Sequence, residues 1–177
     1  AAEAERANFA ERAAEEGKTG NSVLLDRNAV TYLEGHREIP CEEQGGIYFL
    51  NRNKLSLYKP DSNELTEVHQ FDNVQDVYVA NDRLYILDRS SNITIYNLLT
   101  QQEEKKLQYG DHASSIGADS KGRIYLAESN GNGDDYDLYL LSPEGTLLSQ
   151  ALSEEAVYGF CGFDESNGNY YVDTYNN

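Results

Sequence analysis

Tryptophan and methionine are absent from this 177-residue chain, and cysteine and proline are scarce, at two and three residues. A chain without Met carries no initiator, as expected of a processed chain or an excerpt from a longer one. The two cysteines, Cys41 and Cys161, have no C-x-x-C partner and no nearby His pair, so the usual zinc patterns are excluded. Their distance in sequence favours buried free thiols over a disulfide. Positive charge is also scarce. Fourteen Lys and Arg stand against 31 Asp and Glu, a net charge of −17. A chain so acidic is repelled by nucleic acid and by anionic membrane surfaces. No run approaches the roughly 20 apolar residues of a membrane span, so no membrane insertion is expected. Glycine-rich phosphate loops and the G-x-S-x-G nucleophile turn are missing as well.

What is present is tyrosine, fourteen against five Phe. Tyr suits a half-buried pleated surface, because its ring packs while its hydroxyl reaches water. The tyrosines fall in short runs cut by Gly, Asn, Asp and Pro. The stretch from Gly117 to Gln150 is the clearest example. Asp119-Ser120-Lys121-Gly122 is a turn, Arg123 to Glu128 a strand, and Asn130 to Asp134 a second turn. Tyr136 to Leu141 is the next strand, and Pro143-Glu144-Gly145 turns into a third.

This unit recurs. An apolar-Tyr core appears as Ile47-Tyr48, Leu84-Tyr85, Ile124-Tyr125 and Tyr170-Tyr171, at spacings of 37, 40 and 46 residues. In the first copy Gly46 to Asn51 and Lys54 to Tyr58 are strands around a turn at Arg52-Asn53, followed by Glu64 to Val68. In the second, Asp76 to Val79, Arg83 to Asp88, Ile93 to Asn97 and Glu103 to Gln108 are separated by turns at Ala80-Asn81-Asp82 and Arg89 to Asn92. The fourth opens at Tyr158, turns at Asp164 to Gly168 and reaches Asp173. A period near 40 with several short strands predicts an all-β fold: a β-propeller, partial or small, built from four-stranded antiparallel blades. One such sheet cannot cover both its faces, so neighbours must stack to bury one another. On each strand adjacent side chains point to opposite faces, so Ile124 and Tyr125 must serve different interfaces.

The start differs. Residues 1–16, AAEAERANFAERAAEE, predict a short helix closed by Gly17, and residues 1–20 are expected to be a helix and linker. Residues 21–177 form the repeat domain, with repeats of about 23–44, 45–75, 76–116, 117–157 and an incomplete 158–177. Val23 to Leu25 and Ala29 to Glu34 read as hairpin-like strands, Gly35-His36-Arg37 as a turn, and Ile39-Pro40 as the end of that segment. Two accounts of the repeat number follow. The chain is an excerpt of a longer propeller, which we favour, or the strands in 23–39 pair with the last half-blade and close a small ring.

Asp119 to Glu128, DSKGRIYLAE, resembles the D-x-x-G-x-I-Y-V-A-D segment of NHL-type propeller repeats, and Asn169 to Asn177 resembles their G-x-I-Y-V-x-D-T-x-N-N segment. The third copy departs at Ala127-Glu128, and the second has Leu87-Asp88 without the Asn pair. The resemblance spans about residues 45–177 and implies a structural repeat, not an activity.

Candidate chemistry is thin. The loop Asn130-Gly131-Asn132-Gly133-Asp134-Asp135-Tyr136-Asp137 places Asn130, Asn132, Asp134, Asp135 and Asp137 as potential Ca²⁺ ligands, since calcium takes six to eight oxygens. It is not an EF-hand, because Asp135 and Leu141 stand where Gly and Glu are required. The competing expectation is a solvated loop and no cofactor. His36, His69 and His112 are scattered and read as surface or loop residues. Asn92-Ile93-Thr94 fits the N-glycosylation pattern, a match that chance explains better than a modification site does. Tyr48, Tyr78, Tyr85, Tyr96, Tyr125, Tyr139 and Tyr171 are expected to pack between blades more than to stack on sugars. The functional expectation is a non-enzymatic binding module, secreted or at the cell surface, for a protein or glycan ligand. The alternatives are a propeller hydrolase or lyase with a divalent-metal site, and a structural assembly part joined through residues 1–16.

Overall fold

A computed structural model describes residues 37–131 and 135–174. The helix expected over 1–16, the strands expected at 23–25 and 29–34, and His36 lie outside the described residues. The chain divides into two compact units, residues 1–68 and 69–177. Fourteen strands and one short 3-10 turn at Glu42–Gln44 account for the regular structure among the described residues.

The first sheet has the order β1-β2-β3-β4, made of Arg37–Cys41, Gly46–Asn51, Lys54–Lys59 and Glu64–Gln70. Its first three strands match the apolar content of the sequence: Ile39, Tyr48, Phe49, Leu50, Leu55, Leu57 and Tyr58 are buried. The expected turn at Arg37 and break at Ile39-Pro40 are corrected here. All three residues belong to β1, which pairs antiparallel with β2, Pro40 opposite Ile47. Proline is tolerated because β1 is an edge strand, where a missing N–H costs no ladder bond. Gly46 is required where it stands, since a Cβ there would run into the Tyr58 carbonyl.

In the second unit, β5 Val74–Ala80, β6 Arg83–Asp88, β7 Asn92–Asn97 and β8 Gln102–Gln108 form one antiparallel sheet. The next comprises β9 Ala113–Ala118, β10 Ile124–Ser129, β11 Tyr136–Leu141 and β12 Leu147–Ser153. A last pair, β13 Val157–Asp164 and β14 Asn169–Thr174, forms a two-stranded sheet. Each sheet is a meander whose strands follow in sequence order, so the observed sheets begin at 74, 113 and 157.

The turns explain why the chain reverses where it does. Asp119 accepts the amides of Lys121 and Arg123, both at 3.0 Å. Asp88 does the same for Ser90 and Asn92, at 2.8 and 2.9 Å. The Ser142 hydroxyl does so for Glu144 and Thr146, at 3.2 and 3.1 Å. Three residues after each acceptor the backbone has positive φ: Gly122 at +74°, Gly145 at +88° and, unusually, Ser91 at +58°. A side-chain acceptor at the first position and a left-handed residue at the fourth is one local solution used three times.

The facing sheets bury a common core. Tyr85, Leu87, Ile93 and Ile95 of one meet Ala113, Ile116, Ala118, Ile124, Leu126 and Leu141 of the next. Fully burying each large side chain contributes roughly 1.5–3 kcal/mol. Polar ties cross the same interface. The Ile116 amide donates to Asp76 Oδ2 at 2.9 Å, Asn81 Nδ2 to the Asp119 carbonyl at 2.8 Å, and Lys105 Nζ to the Pro143 carbonyl at 2.7 Å. On the far face of β10, Tyr125 packs on Tyr170 with ring centroids 4.1 Å apart, and Phe160 and Phe163 surround them. Ile124 and Tyr125 thus serve opposite interfaces, as the two-residue period requires. Tyr48, Tyr85 and Tyr96 are buried and Tyr78, Tyr125 and Tyr139 half-buried, but Tyr171 is 52% exposed. Its neighbour Tyr170 packs on the sheet instead, because the alternation presents only one of the pair to β10. Cys41 is a buried free thiol and Cys161 a free thiol that is exposed, correcting the expectation of burial for the latter. His69 is also corrected. It lies in β4, half-buried beside Phe71 and Tyr96, with Glu103 Oε1 at 3.0 Å.

Candidate functional site: an acidic groove with two tyrosines

Between the β8–β9 connection and the β10–β11 hairpin lies an open groove of ≈ 420 Å³. Tyr109, Asp111, Glu128, Asn130, Asp137 and Tyr139 line it. The Tyr109 and Tyr139 rings meet edge to face, with centroids 5.1 Å apart and planes at 65°. Both rings lean on the core shared by the two sheets, which fixes their orientation. Glu128 closes the floor: its Oε1 accepts the amides of Asp111 and His112 at 3.0 and 2.6 Å. Gly110, at φ +74°, lets the chain pass over that carboxylate, since a Cβ there would lie 2.5 Å from Glu128 Oε2. Asp137 accepts from Gln150 Nε2 at 3.1 Å, which ties the groove to β12. Burial, then the charges of Asp137 and Glu128, push the Tyr139 hydroxyl above its ordinary pKa. The groove therefore offers acceptors and aromatic rings, a combination suited to a cationic side chain.

Of the residues expected to bind calcium, Asn130 and Asp137 line this groove. Asp135 contributes a carbonyl that accepts the Asn130 amide at 3.2 Å, closing the hairpin. Asn132 and Asp134 lie outside the described residues. Among the described residues no three His, Cys, Asp or Glu side chains stand close enough to hold a metal ion together. Sequence reasoning missed Tyr109, Asp111 and Glu128. Tyr109 and Asp111 had as their signal a Tyr-Gly-Asp connection between two predicted strands and reach Asp137 only through sheet stacking, whereas Glu128 stands opposite Asp137 in the β10–β11 ladder.

The opposite ends of the same two sheets carry the other sign. There a groove of ≈ 270 Å³ holds Arg83, Lys105 and Lys121, with Glu104. Arg83 Nε and Nη2 bond both Glu104 oxygens, at 2.6 and 3.1 Å.

No protein-family profile matches this chain, and no curated protein matches it. Solved structures do. Hydrazine synthase from Kuenenia stuttgartiensis superposes with a TM-score of 0.51 at 16% identity, over 80% of this chain and 41% of that one. BamB from Moraxella catarrhalis gives 0.54 at 10% identity, over 76% and 38%. BBS1N, solved in complex with ARL6DN, gives 0.53 at 16%, over 73% and 39%. At such identities the likeness is one of fold. Four-stranded antiparallel meanders, two of them packed face to face in the second unit, make this an all-β chain of the β-propeller class. It spans about two fifths of the length of the structures it matches. Among the described residues no helix is long and apolar enough to cross a membrane.

Proposed function

We propose that this chain is a non-enzymatic β-propeller binding module that takes up a protein ligand outside the cell, seating a cationic side chain in the Tyr109–Tyr139 groove. The supporting observation is the pairing of two core-anchored tyrosine rings with Asp111 and Asp137 in one groove. The net charge of −17 steers cationic partners toward it. One of the similar structures, BBS1N, was solved as a complex with a second protein, which fits a fold used for recognition. The repeats are of the NHL-like kind, a reading supported by the Asp119–Gly122 turn with its carboxylate bound to two amides.

Isothermal titration with a peptide carrying one central arginine, and with its citrulline twin, tests this reading. The arginine peptide binds, and Tyr139→Ala abolishes binding. Equal binding of the citrulline twin, or binding untouched by Tyr139→Ala, retires it. Binding of a neutral glycan that Tyr139→Ala abolishes would replace the protein ligand by a glycan.

A second reading is a Ca²⁺ ion in the 130–137 loop, favoured by Asn130 and Asp137 lining one groove. Saturable heat on titration with CaCl₂, lost in Asp137→Asn, supports it, and a flat titration excludes it.

A further inference from the structure

The outer strands of the three four-stranded sheets differ in one respect. β4 reads ELTEVHQ and β8 reads QEEKKLQ, so each carries charge along its free edge. Charged side chains on an edge strand prevent another strand from pairing with it. β12 reads LLSQALS and carries none. Among the described residues it is the terminal strand of its sheet, hydrogen-bonded to β11 on one side only. Six of its seven residues are exposed. Leu147, Leu148 and Leu152 are 42, 54 and 59% exposed, three of the seven large exposed hydrophobics on the described surface, so the apolar exposure concentrates on this one edge. Leu148 and Leu152 flank Gln150 at two-residue spacing and share its face.

We propose that β12 is a strand-addition site, and that its occupant is an extended segment of another protein with apolar residues at alternate positions and basic residues at both ends. Main-chain bonds to the free edge would supply affinity, and the Leu148 and Leu152 surfaces specificity. The charge at the two ends selects the occupant. Glu144 precedes the strand, and Glu154 and Glu155 follow it, all exposed. A second copy of this chain is disfavoured. Antiparallel self-pairing about Gln150 would set Glu144 of one copy against Glu154 and Glu155 of the other, between molecules of charge −17. A segment flanked by Lys or Arg meets the same carboxylates favourably. This site does not rest on the tyrosine groove.

The test titrates the full chain with a fluorescein-labelled peptide KVTVTVTVK, read by polarisation. Saturable binding that weakens with added salt is expected, with none for the twin EVTVTVTVE. A form N-methylated on alternate residues, which cannot complete a ladder, must fail. The variant Leu148→Ser/Leu152→Ser alters only exposed positions, and an unchanged circular-dichroism melt verifies its fold. It is expected to weaken binding by about tenfold or more. Leu65→Ser, at an exposed leucine of β4 outside both sites, leaves affinity unchanged. No saturation by about 1 mM peptide, a limit already at the weak end of specific binding, overturns the proposal. So does undiminished binding of the methylated peptide or of the double serine variant, or loss of binding in Leu65→Ser. Sedimentation showing a dimer of the full chain that the double serine variant dissociates would assign the edge to a second copy instead.

Discussion

The hydroxyl of Ser91 accepts the amide of Ala113 at 2.9 Å, and through that bond a turn of one sheet holds the first strand of the next. Ser91 is fully buried and has φ +58°, a conformation Gly adopts freely and Ser does not. The corresponding turns have Gly122 and Gly145, so this sheet has accepted a strained backbone in return for an inter-sheet acceptor. Ser91→Ala keeps the strain and leaves a buried N–H without its partner, a loss of about 1–3 kcal/mol. Ser91→Gly loses the same bond but relieves roughly 1 kcal/mol of strain. Urea denaturation is expected to rank the wild type first, Ser91→Gly second and Ser91→Ala last. An Ala variant as stable as the wild type would show that the bond contributes nothing.

Asp119 is the most heavily used carboxylate in the described structure. Besides the amides of Lys121 and Arg123 it accepts Arg123 Nε at 2.6 Å and the Tyr125 hydroxyl at 3.3 Å, while only 1% exposed. Asp119→Ala removes the acceptor for all four donors and leaves the partly buried Arg123 without its partner, so a loss of about 3 kcal/mol or more is expected. Asp119→Asn retains an oxygen for the turn amides but not the ion pair, and falls between. Thermal melts of the three proteins check the order, and an Asn variant as unstable as the Ala variant would assign the whole effect to charge.

The packing of Tyr170 depends on a missing side chain. A Cβ at Gly117 would lie 2.5 Å from the Tyr170 hydroxyl and 2.8 Å from Phe160 Cβ, while that hydroxyl donates to the Ala118 carbonyl at 3.0 Å. Gly117→Ala is expected to cost about 1–3 kcal/mol by overpacking. Tyr170→Phe removes the nearest obstacle, so Gly117→Ala should cost less on that background. A double-mutant cycle measures the coupling, and strict additivity would mean that the strand shifts aside without touching the ring.

These cases also mark what could be read from residues alone. The turn at Asp119 was legible because its carboxylate and the amides it accepts lie within four residues of one another, whereas those after Asp88 and Ser142 were legible only from their Ser, Asn, Pro and Gly content. The assignment of Ile124 and Tyr125 to different interfaces followed from strand geometry alone. The β1 strand was hidden by Pro40, whose tolerance depends on the strand's place at a sheet edge. The tyrosine groove was half legible. Asn130 and Asp137 share a local loop, but Tyr109 and Asp111 reach them only after two sheets stack. Tyr170 and Tyr171 are adjacent and chemically alike, and only the packed neighbour decides which is buried.

The pair Arg83–Glu104 predicts how one part of the stability depends on pH. Bonds from Arg83, then from Asn97 Nδ2 at 2.7 Å, hold the Glu104 carboxyl below its ordinary value of 4.5. A carboxyl whose pKa is lower in the folded state stabilises that state above its unfolded pKa and loses the contribution as pH falls through the folded pKa. The stabilisation is thus complete at neutral pH and fades below about pH 4.5. Arg83 stays charged throughout, so the change belongs to Glu104. Both side chains are about a third exposed, at 35 and 34%, so screening limits the pair to about 0.2–1 kcal/mol. Many other carboxylates titrate over the same range, which makes the difference between two proteins the informative quantity. Glu104→Gln is expected to unfold at lower urea than the wild type at pH 7, and the gap should close toward pH 3. A gap that persists at pH 3 would assign the effect of the substitution to packing instead of charge.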